Sequence, residues 1–172
     1  MQVQVEHLAN LRVINFYIPS LVKNNALLFC QQSRDNPEFL NNIFSSCNVE
    51  HCLLTPDLFA CKYAKEADVE EMRLLIMAEL EDFVESAQEV NFISDENEVM
   101  ELAQAVADSY VRPTLNRDKG DIELLDFADG TLRLRFTGHC AGCPFAQNTL
   151  NNVIAKAFNR LVPAIKEIRL EE

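Results

Sequence analysis

Apolar residues along this chain recur at two spacings, and the switch from one to the other predicts most of its elements. Arg12-Val13-Ile14-Asn15-Phe16-Tyr17-Ile18 is rich in β-branched and aromatic residues and stops at Pro19, as a strand does. Ala26-Leu27-Leu28-Phe29-Cys30 reads as a second strand. Asn36-Pro37 reads as an N-cap followed by a first-turn proline, opening a helix that buries Phe39, Leu40, Ile43 and Phe44. Two strands, Val49 to Leu54 and Leu58 to Tyr63, flank a turn at Thr55-Pro56-Asp57. A longer helix is expected from about Ala67 to Val84, because Val69, Met72, Ile76, Leu80 and Phe83 fall at spacings of 3, 4, 4 and 3 and make one apolar face.

The pattern continues differently beyond residue 90. Asp95 and Glu98 are spaced like a capping box, Val99, Leu102, Val106 and Tyr110 follow at helical spacing, and Pro113 is expected to close that helix. Asp121 to Phe127 and Thr131 to Thr137 are strands joined by the hairpin turn Ala128-Asp129-Gly130. In the second strand Leu132, Leu134 and Phe136 share one face, and Arg133 and Arg135 the other. Leu150, Val153, Ile154, Ala157, Phe158 and Leu161 mark a helix ended by Pro163, and Ile165 to Leu170 is a last strand. The fold class expected is α+β: two small α+β domains, the second ordered helix, hairpin, helix, strand.

Composition sharpens the division. All four glycines lie between Gly120 and Gly142. The polar stretch from Glu85 to Asn97 is the expected boundary, giving domains 1–90 and 91–172. Charge removes some functions. The net charge is −12; residues 1–90 carry 6 basic and 14 acidic side chains, and residues 91–172 carry 9 and 13. Neither half has the positive field that phosphate backbones require, so neither nucleic acid nor an anionic membrane is an expected partner. No run approaches the ~18 apolar residues of a membrane span. The start, Met1-Gln2-Val3-Gln4-Val5-Glu6, has neither a secretory nor a transit-peptide pattern, and the expected location is the cytoplasm.

Six cysteines are present: Cys30, Cys47, Cys52, Cys61, Cys140 and Cys143. In a reducing compartment they are free thiols, metal ligands or redox groups. The last two form a CxxC in the loop Thr137-Gly138-His139-Cys140-Ala141-Gly142-Cys143-Pro144, which leaves a strand and enters a helix. With Pro144 at the first helical position, Cys143 falls at or near the N-cap. Orphan N–H groups and the positive end of the helix dipole then favour thiolate, the form that ligates metals and attacks disulfides. Gly138 and Gly142 let the backbone approach an anionic object. Two cysteines supply half the ligands of a cubane cluster or a tetrahedral zinc site, and a two-fold dimer completes the count with the least new structure. From the motif alone, three readings stand: a dithiol–disulfide oxidoreductase, a metal site, and chance. A thioredoxin-type site sits in a parallel βαβ setting, whereas this CxxC follows an antiparallel hairpin, which counts against the redox reading.

From Val99 to Ile168 the chain resembles the C-terminal domain of the NifU-like (Nfu-type) iron–sulfur proteins. The likeness rests on Arg112-Pro113-Thr114-Leu115, Lys119-Gly120-Asp121-Ile122-Glu123-Leu124, Asp129 through Gly138, Cys140-Ala141-Gly142-Cys143-Pro144 and Leu161 through Ile168. The first half resembles, more faintly, the N-terminal domain of some Nfu proteins, through Asn25 to Phe29 and Val49 to Lys62. The resemblance implies a [4Fe–4S] cluster, with [2Fe–2S] as the variant, bridging two subunits through the residues matching Cys140 and Cys143. It implies a scaffold or carrier rather than an enzyme, with apo iron–sulfur proteins as recipients, an upstream assembly scaffold as donor, and the first domain in partner docking. His139, Phe145 and the segment Leu115 to Lys119 depart from the usual pattern. A zinc-bridged interaction module is the remaining alternative.

The other reactive side chains carry plainer expectations. His139 is read as a solvated histidine. His51 and Cys52 are strand neighbours, so they face opposite ways. Cys52 and Cys61 can approach each other across a hairpin but read as small core residues, and a functional role is expected still less of Cys30 and Cys47. Arg133 and Arg135 read as solvated strand positions, and His7 as part of a polar start.

Overall fold

The computed structural model describes residues 2–22, 26–86 and 99–172. Its contacts divide the chain into two compact units, Met1–Ile93 and Ser94–Glu172. The expected boundary stretch and the Asp95/Glu98 capping box fall mostly or wholly outside the described residues.

The first unit is a five-stranded antiparallel sheet with two helices. Strand β1 is Gln4–Leu8, β2 Val13–Tyr17, β3 Leu27–Phe29, β4 Val49–Leu54 and β5 Leu58–Tyr63, in the order β1-β2-β5-β4-β3. Helix α1 is Glu38–Ser46, with Pro37 as its N-cap, one residue later than the pattern places it. Helix α2 is Val69–Ser86, opened by Asp68, whose carboxylate accepts the Glu71 N–H at 3.1 Å. The apolar stripe of α2, Met72, Ile76, Leu80 and Phe83, is buried with Phe39, Leu40 and Ile43 of α1 and with Ile14, Phe16 and Phe59 of the sheet. Strand β1 was not expected. It lies at the sheet edge, and there His7 Nε2 sits 2.8 Å from the Tyr63 hydroxyl, so His7 is tied to β5 rather than idle in a polar start.

The second unit runs helix, hairpin, helix, strand. Helix α3 is Val99–Val106; a π-helical turn, Ala107–Val111, leads without a break into α4, Arg112–Arg117. The helix therefore does not close at Pro113. Proline lacks an N–H and its ring crowds the carbonyl four residues back; a wider turn immediately before it relieves that conflict and lets the helix go on. Strands β6, Gly120–Ala128, and β7, Thr131–Gly138, form the hairpin, with a bulge between Leu124 and Asp126. Helix α5, Ala146–Thr149, passes through a second π-helical stretch, Leu150–Ile154, into α6, Ala155–Leu161. Strand β8, Glu167–Leu170, pairs with β7 in parallel, giving the order β6-β7-β8. Ile122, Leu132 and Leu134 of the sheet are buried, as are Val106, Ile154, Phe158 and Leu161 of the helices.

The parallel pairing corrects one step of the sequence argument. β7, the helix α5–α6 and β8 form a βαβ crossover, and the CxxC loop is its first connection. The setting of the motif therefore does not count against redox chemistry.

Candidate functional site

The CxxC loop springs from the open end of the β6–β7 hairpin, where Gly120 faces Gly138. Lys119 and Gly138 both have left-handed backbones, at φ 59° and 60°. The His139 N–H donates to the Lys119 carbonyl at 3.1 Å, closing the loop base. A Cβ at position 138 would lie 2.7 Å from that carbonyl oxygen, so only glycine fits both the angle and the space. From there the loop is a run of tight turns: Ala141 N–H to Gly138 O at 3.2 Å, Cys143 N–H to Cys140 O at 3.3 Å, and Ala146 N–H to Cys143 O at 3.1 Å.

Both cysteines are half-buried free thiols. Cys140 turns back onto β6, and its Sγ fills the space that a Cβ at Gly120 would need. Asp121, next to Gly120, is braced. Its Oδ1 accepts from Arg112 Nη1 at 2.7 Å and from the Ile122 N–H at 2.8 Å, while Arg112 Nε lies 2.8 Å from Asp108 Oδ1.

Two expectations about thiol chemistry need correction. The helix starts at Ala146 with Phe145 at its N-cap, so Pro144 lies in the preceding turn and Cys143 two residues outside the cap. Burial, reinforced by the charges of Cys143, Asp118 and Asp121, pushes the Cys140 thiol up despite the Asp121 N–H, which pulls it down. In the free protein the surroundings of Cys140 thus favour the thiol over the thiolate.

The remaining candidates lie apart from this loop. His139 and Phe145 are exposed, Phe145 at 66%. Cys52 is fully buried and its neighbour His51 half-buried on β4. Cys52 Sγ and Cys61 Sγ stand 3.5 Å apart in the first unit's core, where burial pushes Cys61 up and takes Cys47 to about 11. Cys30 is exposed. Arg133 and Arg135 are exposed as expected and ion-paired, Arg133 to Asp126 and Arg135 to Glu123 at 2.6 Å. Sequence reasoning missed Gly120, Asp121 and Arg112 as supports of the cysteine loop. The available signal was Asp108 four residues before Arg112 on one helix, with a glycine opening the following strand. Among the described residues, no three His, Cys, Asp or Glu side chains converge to hold a metal ion, and no helix is long and apolar enough to cross a membrane.

A family model described as the NifU-like domain matches residues 104–169. The human mitochondrial NFU1 iron-sulfur cluster scaffold homolog is 26% identical over 132 residues, covering 77% of this chain and 48% of its own length. That span exceeds the second unit, so the likeness extends into the first. The Drosophila persimilis protein of the same name is 25% identical over 80 residues, 46% of this chain and 28% of its own. The chain thus spans less than half the length of these curated relatives. A crystal structure of a Staphylococcus aureus protein covers 46% of this chain and 98% of its own at 13% identity, with a TM-score of 0.38. The segment that matches the NifU-like domain holds the hairpin, the Cys140–Cys143 loop and the helix that follows it.

Proposed function

We propose that this protein binds an iron–sulfur cluster through Cys140 and Cys143 and delivers it to apo-proteins. The observation that carries the reading is a pair of half-buried thiols on a loop braced at Gly120 and Gly138, inside the segment that matches the NifU-like domain. Curated relatives named as iron–sulfur cluster scaffolds support it. The donor chemistry fits: thiolates are the usual ligands of such clusters, and neighbouring backbone N–H groups offset the added negative charge. The cluster is cargo, and the chain acts as scaffold or carrier rather than as a catalyst.

The ligand count sets the assembly. The loop offers two sulfurs, and a [4Fe–4S] cluster takes four, so a second copy of the chain supplies the other pair across a two-fold axis. Such a shared site opens when the interface opens, which suits release to recipients. The first unit serves partner docking, and the donor is an upstream assembly scaffold. Anaerobic reconstitution with iron and sulfide tests this. We expect a brown protein with about two irons per chain, and loss of colour in Cys140→Ser and in Cys143→Ser. A wild-type protein that stays colourless and retains no iron ends the reading.

One observation favours a second reading. The CxxC lies on the first connection of a parallel βαβ unit, where dithiol oxidoreductases carry theirs. That reading predicts disulfide reductase activity from a single chain and no retained iron after reconstitution.

A further inference from the structure

We propose that the two cysteines have different jobs: Cys140, seated on the Gly120 backbone, is the fixed ligand, and Cys143 is the ligand that exchanges with a recipient's thiol. This rests on the cluster reading above. Cys140 leaves the end of a strand, and its sulfur occupies the space where any other residue at 120 would carry a Cβ. The residue next to Gly120 on that strand is Asp121, whose carboxylate is gripped by Arg112, and Arg112 is in turn set against Asp108. The chain of supports therefore runs from the core-facing helix to the sulfur. Cys143 stands outside the helix cap, followed by exposed Pro144 and Phe145. One sulfur is thus anchored on the hairpin and the other rides a turn.

Handover by this route is ligand exchange with no change of oxidation state. The incoming thiol's sulfur bonds to iron, its proton passes to the Cys143 sulfur, and the bond from iron to Cys143 breaks. Gly120, Asp121 and Arg112 are positioning residues that keep Cys140 bonded while this happens.

The test begins on the iron-free chain. Alkylation by iodoacetamide, followed site by site by mass spectrometry and normalised to the urea-unfolded chain, should modify Cys143 about tenfold faster than Cys140. Gly120→Ala should bring the two rates together. Its new Cβ meets chiefly the tip of a side chain with one torsion, which can swing out and leave the fold intact. Arg112→Met should accelerate Cys140 by a smaller factor, with Arg112→Lys in between; this keeps the test alive if Gly120→Ala does not fold. On the loaded protein, Gly120→Ala should lose iron to added glutathione several-fold faster than wild type. Equal alkylation rates in the wild-type chain overturn the inference, as does an unchanged ratio in both folded variants. Normal iron loading with equal thiol rates removes only this assignment, whereas failure to load iron removes the reading beneath it.

Discussion

Gly138 satisfies two demands at once: a backbone at φ 60° and a carbonyl, that of Lys119, 2.7 Å from where a Cβ would sit. The atom in the way is backbone, so it cannot rotate aside as the Cys140 sulfur can at Gly120. Gly138→Ala should therefore cost about 2–3 kcal/mol, and Gly120→Ala less than about 1 kcal/mol, as read from urea midpoints. The buried thiols of the first unit make a different prediction. Cys47 is 7% exposed and its thiol is raised to about 11, and burial lifts Cys61 as well. A raised folded-state pKa contributes stability at neutral pH that disappears as pH climbs through it. Unfolding free energy should therefore hold near neutrality and fall between about pH 9 and 11, by on the order of 2 kcal/mol for Cys47. Urea titrations across that range check this, and Cys47→Ala should flatten the slope. An unchanged slope in that variant would remove Cys47 as its source.

The composite helix from Val99 through Arg117 shows where local pattern stops being informative. Its apolar spacing is plain as far as Tyr110, and proline at 113 then reads as a stop. The chain instead widens one turn, Ala107–Val111, and carries on. Because the helix continues, Arg112 lies half-buried between Asp108 and Asp121. Arg112→Met leaves two carboxylates facing each other without their cation, and should lower stability by about 2 kcal/mol in urea unfolding. If the loss is below about 0.5 kcal/mol, the ion pairs are behaving as solvated surface contacts. The hairpin β6–β7 was legible because Asp129-Gly130 fixes its turn and alternation fixes its faces. The partner of β8 was not, because Glu167–Leu170 pairs with β7 only once the helix between them has crossed the sheet. β1 escaped notice because a short, half-exposed edge strand carries little alternation. The cysteines announced themselves by spacing. The state of the Cys140 thiol did not, since it depends on the register that sets Gly120 opposite Gly138 and on where the next helix begins.

At the scale of the whole molecule, ligand number and charge pull in opposite directions. The proposed shared site brings two chains to one cluster, yet each chain carries a net charge of −12, so the copies repel as they approach. The repulsion acts between solvent-exposed charges and fades as the screening length falls from about 30 Å at 0.01 M salt to about 8 Å at 0.15 M. Bonds from sulfur to iron at a half-buried site are far less sensitive to salt. The iron-loaded protein should therefore sediment as a two-chain species whose dissociation weakens as salt is raised over that range. Removing iron with a chelator should abolish that salt-strengthened dimer at the same protein concentration. Anaerobic sedimentation equilibrium at several salt concentrations decides the matter. A loaded species of one chain would mean the remaining ligands come from elsewhere, and the shared-site arrangement would have to be abandoned.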